Sequence, residues 1–278
     1  MKLDPFSKKA NTKAGRSLYR IDAATHCGRV RESNEDNYSV NGSIRPSGEE
    51  IQTFSLLEEP VFLAVYDGMG GEFGGELASR IAAEGSAELA ARLPALSEEE
   101  LTEAVNNYVA LTNNRICDLL NNSFGSRGGS TLAMACFCGN RVYPYSLGDS
   151  RIYVFDGETL HLVTADHTVA MNKYRMNIYT QEQAEQSPDS HMLTLFLGVD
   201  TRRAGLKAEY YPPFALADGM KILLCSDGLY DMCSAEEISL ILSAECGNYA
   251  EALVNQAMEN GGADNITCIV AGMVQQNK

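Results

Sequence analysis

Two pairs of strand-like segments constrain the fold of this chain more than any other feature. Residues 130–137 and 142–147 are joined by a short turn containing a Gly-Asn pair, and residues 151–155 and 159–163 are joined across an Asp-Gly pair. Loops this short force neighbouring strands to run antiparallel. The segments are nevertheless apolar on both faces, unlike an antiparallel sheet with one face in water. We therefore predict an antiparallel sheet packed on a second sheet, with helices covering the outside.

The rest of the chain supplies those helices and further strands. Residues 61–66 are fully apolar and lead through a glycine-rich turn into a helix that runs to about Leu93. Ser97, with Glu100 three residues later, forms a capping box that opens a second helix to about Asn121. Residues 41–59 have the character of a loop or a ragged hairpin connection. Further strands are predicted at 18–25, 36–40, 206–211, 221–225 and 265–274, and further helices near 234–243 and 247–260.

Two segments stand apart from this pattern. Residues 1–16 are basic and polar and predict a flexible tail before a single domain at residues 17–278. Residues 168–192 are polar and rich in Met and Tyr, which predicts short helices in a mobile flap.

Composition excludes several classes of function. The net charge is −15, from 37 acidic and 22 basic residues, and non-specific nucleic-acid binding needs a basic surface instead. The longest apolar runs are far too short to span a bilayer, and the first residues lack the apolar core of a signal peptide. The eight cysteines include no CxxC pair, so we expect reduced, mostly buried thiols and no zinc knuckle. These features predict a soluble, cytoplasmic protein that binds no nucleic acid.

Five short acidic motifs carry the functional information. Each places an Asp beside Gly, Ser or Asn, at what reads as the end of a strand: RESNED at 31–36, YDGMGG at 66–71, LGDSR at 147–151, CSDG at 225–228 and GADN at 262–265. Two carboxylates in close contact repel by ~4 kcal/mol at an effective dielectric of about 20. Hard divalent cations relieve that repulsion, and Mg²⁺ or Mn²⁺ suit carboxylate and water ligands best. If the motifs converge, they therefore predict a metal site, although any one of them alone is typical of a turn.

Taken together, the motifs resemble the metal-dependent serine/threonine protein phosphatases of type 2C, in their bacterial-like branch. The resemblance spans roughly residues 18–274 and lies in motifs that occur in family order: RxxNED at 31–36, DGMGG at 67–71, GELAS at 75–79, GST at 129–131, GDSR at 148–151, DHT at 166–168, SDGL at 226–229 and DNIT at 264–267. It implies an α+β fold, a four-layer α/β/β/α sandwich of two mainly antiparallel sheets flanked by helices.

The resemblance also implies roles for individual residues. Four carboxylates would hold two Mn²⁺ or Mg²⁺ ions, those of Asp36, Asp67, Asp227 and Asp264. The backbone carbonyl of Gly68 would be a further ligand. A third, weaker ion would involve Asp149 together with Asp227. Arg31, whose planar guanidinium can grip phosphate oxygens with two hydrogen bonds, would bind the substrate. An odd spacing separates Arg31 from Asp36, so the chain must bend near Ser33 for both to face one site.

Simpler roles remain open for several of these residues. The aspartates could be turn residues, Arg31 a surface arginine in a salt bridge, and Asp149 a cap on the turn before Arg151. His167 is expected to be a structural hydrogen-bonding histidine. Some family members carry a histidine after the Asp-Gly pair, where this chain has Met69, so that acid is absent. Glu72 and the flap end at 187–198 also depart from the family pattern, which leaves substrate preference open.

The function that the resemblance implies is hydrolysis of phosphoserine and phosphothreonine in proteins, in signalling, with a hydroxide bridging two metal ions as the nucleophile. Its partners would be phosphorylated proteins, including a Ser/Thr kinase, and we expect a monomer. Two alternatives are a catalytically weak relative that binds partners and a hydrolase of small phosphate esters. The glycine-rich turn lacks GK[ST], so it does not predict a nucleotide-binding P-loop.

Overall fold

The computed structural model describes residues 17–45, 50–70, 74–123, 128–138, 141–199 and 205–274. The predicted tail at residues 1–16 and the unusual Glu72 lie outside the described residues. Within these ranges the β-strands are β1 Leu18–His26, β2 Asn37–Val40, β3 Ser43–Ile44, β4 Glu50–Glu58, β5 Val61–Tyr66, β6 Gly68–Met69, β7 Gly129–Ser130, β8 Leu132–Cys138, β9 Arg141–Leu147, β10 Arg151–Phe155, β11 Leu160–Leu162, β12 Glu209–Tyr210, β13 Lys221–Cys225 and β14 Ile266–Met273.

The helices in the described ranges fall into three groups along the chain. Two long helices follow β6, two short ones lie in the flap, and three follow β13. They are α1 Gly74–Arg92, α2 Glu98–Ser123, α3 Val169–Arg175, α4 Gln181–Gln186, α5 Asp227–Tyr230, α6 Ala235–Ser243 and α7 Tyr249–Glu259, with 3₁₀ turns at Leu93–Ala95 and Pro188–His191.

The strands form two six-stranded sheets in which every pair described is antiparallel. The first sheet has the order β11-β10-β13-β14-β1-β4 and the second has the order β12-β9-β8-β5-β2-β3. β6 and β7 make a separate two-stranded ribbon.

Strand β5 shows why these strands are apolar on both faces. Val61, Leu63 and Val65 point into the cluster between the two sheets, where they meet apolar residues of β1, β8 and β13. Phe62 and Tyr66, on the other face, pack with residues of α1 and α2. A third apolar cluster joins the first sheet to α5, α6 and α7. The layers are therefore helix, sheet, sheet and helix, and the predicted fold class is confirmed.

Two predictions about strands are wrong. Residues 50–58, expected in a loop or a ragged hairpin connection, form the nine-residue edge strand β4, which pairs with β1 from Leu18 to Thr25. Its sequence, EIQTFSLLE, mixes polar and apolar residues because an edge strand is partly open to solvent, so the apolar signal is weak. Conversely, the strand expected at 206–211 is reduced to Glu209–Tyr210, which pairs with Ser146 and Tyr145 of β9.

The capping box is confirmed. The Ser97 N–H donates to Glu100 Oε2 at 2.9 Å, and the Glu100 N–H donates to Ser97 Oγ at 3.3 Å. No helix in the described ranges is long and apolar enough to cross a membrane.

Candidate metal centre

The five acidic motifs meet at one end of the two sheets. Asp67, Asp149 and Asp227 directly follow or lie just beyond β5, β9 and β13. Asp36 and Asp264 instead precede β2 and β14, so the prediction that every motif ends a strand is wrong for these two. In antiparallel sheets, one strand's end lies beside its neighbour's start, as in the Asn37–Tyr66 and Cys225–Cys268 pairs. The carboxylates converge for that reason.

A cleft of about 570 Å³ opens at this end of the molecule. Five of the predicted site residues line it, namely Arg31, Asp67, Gly68, Asp227 and Asp264. The other two carboxylates, those of Asp36 and Asp149, are buried, with 1% and 6% of their surface exposed.

Burial and mutual repulsion disfavour the charged forms of these aspartates. Burial first, and then the neighbouring charges of Asp227 and Asp264, raises the pKa of Asp36 to about 7. Burial and then Asp227 raises the pKa of Asp149 to about 8. The pKa of Asp67 also lies well above its ordinary range, through burial and then the charges of Asp36, Asp227 and Asp149. Each carboxylate thus raises the cost of ionising the others.

Asp227 belongs to the same group. Its pKa is raised to about 6, mainly by burial and then by the negative charges of Asp231 and Asp264. Hydrogen bonds offset only part of this repulsion: the Ser226 hydroxyl donates to Asp36 Oδ2 at 2.7 Å, which lowers the pKa of Asp36, but burial dominates.

This donor set fits divalent cations. Oxygen ligands that repel each other in a partly buried cleft are the chemistry that Mg²⁺ and Mn²⁺ prefer. The backbone at Gly68 fits the same purpose, because a Cβ there would overlap the carbonyl oxygens of Gly75 and Glu35. Only glycine lets this turn pack against the start of α1 while its own carbonyl stays beside Asp67.

Arg31 reaches the rim of the cleft through the predicted bend, which the structure places at Glu32 and Ser33. Its Nη2 donates to Asp264 Oδ2 at 2.7 Å, and 57% of its side chain is exposed. Arg31 therefore forms a salt bridge with Asp264, which is the simpler role left open for it above. A guanidinium has five N–H donors, so this contact leaves donors for an anion in the cleft.

Asn265 holds the rim in place and was given no role from the sequence. Its amide nitrogen donates to the carbonyl oxygens of Cys27 and Ser33 at 2.8 and 2.9 Å, and its side-chain oxygen accepts from the Glu35 N–H at 2.8 Å. The DNIT motif, in which Asn265 stands beside Asp264, could have marked it as a candidate site residue. The contacts span about 230 positions of sequence and could not be inferred without the fold.

His167 has the structural role expected of it. Its Nδ1 accepts from the Gly148 N–H at 3.1 Å, so the ring proton is on Nε2, which lies 2.6 Å from Glu209 Oε2. The histidine thereby fixes the turn that carries Asp149. Nearby, both oxygens of Asp166 accept from the guanidinium of Arg151, at 3.0 and 2.7 Å.

The flap, residues 168–192, consists of α3, α4 and the second 3₁₀ turn, as predicted from its composition. Lys173 and the Tyr179 hydroxyl both donate to Asp189, so Tyr179 helps to hold the flap together. Tyr174 is 40% exposed. The flap ends beside the cleft at His191, which lines it and which the sequence did not single out.

Comparison with known proteins decides the family. The family model described as "Protein phosphatase 2C" matches residues 50–267, more than half of the chain. The chain belongs to this family. It is 30% identical over 262 residues to protein phosphatase PhpP of Streptococcus pneumoniae, an alignment that covers 92% of this chain and 98% of that protein. The enzyme class predicted from the motifs, protein serine/threonine phosphatase, is confirmed at the level of the family.

Solved structures agree. The crystal structure of the serine/threonine phosphatase PstP of Mycobacterium tuberculosis superposes with a TM-score of 0.74 at 29% identity, covering 93% of this chain and 100% of that one. A structure of the PstP catalytic domain in complex with two manganese ions has a TM-score of 0.72 at 29% identity, covering 93% and 99%. The phosphatase of S. agalactiae, at 22% identity, shares the fold with a TM-score of 0.77 over 92% of this chain and 100% of that one.

Proposed function

We propose that this protein hydrolyses phosphoserine and phosphothreonine in proteins and requires Mn²⁺ or Mg²⁺. The observation that carries the proposal is the convergence of five aspartates at one end of the sheets. Three of them line the cleft, two are buried, and four have raised pKa values. A protein gains nothing in stability from such a cluster unless cations bind to it.

The side chains of Asp36, Asp67, Asp227 and Asp264 and the carbonyl of Gly68 would hold two divalent cations, and Asp149 would contribute with Asp227 to a third. Bound there, two such ions supply an activated water as nucleophile and neutralise negative charge on the phosphoryl group.

The chain's own residues orient the substrate. Arg31 would donate to phosphoryl oxygens at the mouth of the cleft, with Asp264 holding its guanidinium in place. Asn265 keeps the loop that bears Arg31 attached to the sheet end, through the Cys27 and Ser33 carbonyls. Met69, which lines the cleft, has no proton to donate to the leaving alkoxide.

The substrates would be phosphorylated proteins rather than small esters, because the cleft is bordered by a flap with exposed apolar side chains that a peptide could contact: Tyr174, Met176, Ile178 and Met192. We place a Ser/Thr kinase among these substrates and the protein in the cytoplasm, in phosphorylation signalling.

The test compares a phosphothreonine peptide with p-nitrophenyl phosphate, in EDTA and after Mn²⁺ is restored. Both should be hydrolysed only with the metal, with a higher kcat/KM for the peptide. Asp67→Asn should abolish both reactions. The control Asp156→Asn, in the exposed turn before β11, should hydrolyse both substrates as the parent does.

Two results would favour the alternatives. Hydrolysis of the aryl phosphate without hydrolysis of any phosphopeptide would indicate a hydrolase of small esters. Tight Mn²⁺ binding without turnover of either substrate would indicate a partner-binding relative.

A further inference from the structure

The end of the flap brings a histidine to two carboxylates of the cleft. His191 is the last residue of the 3₁₀ turn Pro188–His191, and it lies beside Asp227 and Asp231 of the segment after β13. One possible ligand atom from each of the three residues falls within 4.8 Å of the others. These residues come from two separate parts of the chain.

The spacing suits a shared cation better than a direct contact. His191 Nδ1 and Asp231 Oδ2 are 4.0 Å apart, too far for a hydrogen bond. Ligand atoms bind small divalent ions at about 2.1 Å, so two ligands across one ion lie about 4.2 Å apart. The His191–Asp231 separation is therefore within the range of two ligands on one ion.

The charges at this point also call for a cation. Asp227 and Asp231 bring two carboxylates to the one imidazole of His191. Arg151 is the nearby guanidinium, but both oxygens of Asp166 already hold it.

His191 is held in position rather than placed at a loose tip. The neighbouring Met192 carbonyl accepts from the Val169 N–H at 2.9 Å, and Leu193 pairs with Thr168. On the other side, Asp189 accepts from Lys173 and Tyr179. The 3₁₀ turn is thus fixed at both ends, and its last side chain, 61% exposed, faces the cleft.

We infer that His191 is a metal ligand contributed by the flap, which binds a divalent cation together with Asp227 and Asp231. This role rests on the metal centre proposed above, with which it shares Asp227. An ion bound there would fasten the end of the flap to the segment after β13.

An imidazole ligand also changes the preference among metals. Carboxylates and water bind Mg²⁺ and Mn²⁺ alike, whereas a nitrogen ligand favours transition metals over Mg²⁺. The site at His191 should therefore retain Mn²⁺ in millimolar Mg²⁺ better than an all-oxygen site would.

Pulsed electron paramagnetic resonance tests the ligand directly. The chain has four histidines, so protein labelled with [¹⁵N]histidine reports few ring nitrogens. With all sites filled by Mn²⁺, we expect a directly coordinated ¹⁵N signal in the parent and in the control His161→Gln. His161 is also a histidine paired with an aspartate, Asp156 at 3.0 Å. The signal should disappear in His191→Gln.

Mn²⁺ titration by calorimetry gives a second readout. His191→Gln and Asp231→Asn should each weaken the weakest site by ~10-fold or more, the usual effect of disturbing a metal's ligand environment. The two tighter sites should change little, and His161→Gln should match the parent.

Three results would overturn the inference: no nitrogen coupling in the fully loaded parent, coupling that persists in His191→Gln, or a weakest site that is unchanged in that variant. None of these readouts uses turnover. A phosphatase without the nitrogen signal would refute the role of His191 alone, and the signal in an inactive protein would refute the proposed function alone.

Discussion

Replacing Asp36 with Asn should stabilise the metal-free protein, although it removes a proposed metal ligand. The pKa of Asp36 rises from 3.8 to about 7 in the fold, mainly through burial. Each pKa unit corresponds to about 1.4 kcal/mol, so ionising this carboxylate in the folded protein near pH 8 costs up to about 4 kcal/mol. Asn has the same shape and can still accept from the Ser226 hydroxyl, 2.7 Å away. We expect a gain of about 2–4 kcal/mol in the free energy of unfolding, or a Tm higher by roughly 5–10 °C.

The stabilisation expected from Asp36→Asn depends on pH. Well below the unfolded pKa of 3.8 the carboxyl is protonated in both the folded and unfolded states, so the substitution gains nothing. The penalty develops as the pH rises from the unfolded pKa to the folded pKa of about 7, and it is complete above that. The stabilisation by Asp36→Asn should therefore fall by about half between pH 8 and pH 5.5.

The assay is thermal unfolding after EDTA treatment, at both pH values, with and without Mn²⁺. Added Mn²⁺ should reverse the order, because ligand binding stabilises the parent more than the variant. Asp156→Asn is the control: backbone N–H groups of Thr159 and Glu158 lower the pKa of Asp156 to about 2, so its substitution should not raise Tm. An Asp36→Asn protein no more stable than the parent in EDTA at pH 8, or equally stabilised at pH 5.5, would refute the reasoning.

Two further substitutions and one deletion probe other parts of the site. Arg31→Ala should raise KM for a phosphopeptide by ~10-fold or more, because a charge-assisted contact is worth about 1.5–3 kcal/mol; unchanged kinetics would leave Arg31 as a surface residue. Gly68→Ala should lose Mn²⁺ binding, since its methyl group would overlap the Gly75 carbonyl, and calorimetry with unchanged affinity would contradict this. Shortening residues 168–192 around Tyr174 should change peptide preference more than hydrolysis of p-nitrophenyl phosphate; equal losses for both substrates would mean that the flap builds the site itself.

The layered fold could be predicted because local signals agreed with it. In β5, the six residues are apolar without interruption, which fits a strand covered on both sides. Ser97 and Glu100 marked the start of α2 through contacts three residues apart. Edge strand β4 was missed because its role depends on β1, which lies far away in the sequence and supplies its hydrogen-bonding partners.

The candidate site likewise combines residues marked by local sequence with residues whose partners are distant in sequence. The aspartates could be named because each stands in a short motif, and their order along the chain matched a family. Asn265 and His191 could not be assigned roles, since both act across the fold: Asn265 joins the loop at Ser33 to the start of β14, and His191 reaches Asp231 from the flap. Their local sequence carries no signal of those distant partners.

The location of bound manganese tests the central claim most directly. Crystals soaked in Mn²⁺ and measured at the manganese absorption edge should show two strong anomalous peaks in the cleft. Both should lie within about 2.5 Å of carboxylate oxygens of Asp36, Asp67, Asp227 and Asp264, with one of them also against the Gly68 carbonyl. A crystal whose cleft stays empty at saturating Mn²⁺, or whose peaks lie away from these aspartates, would contradict the account.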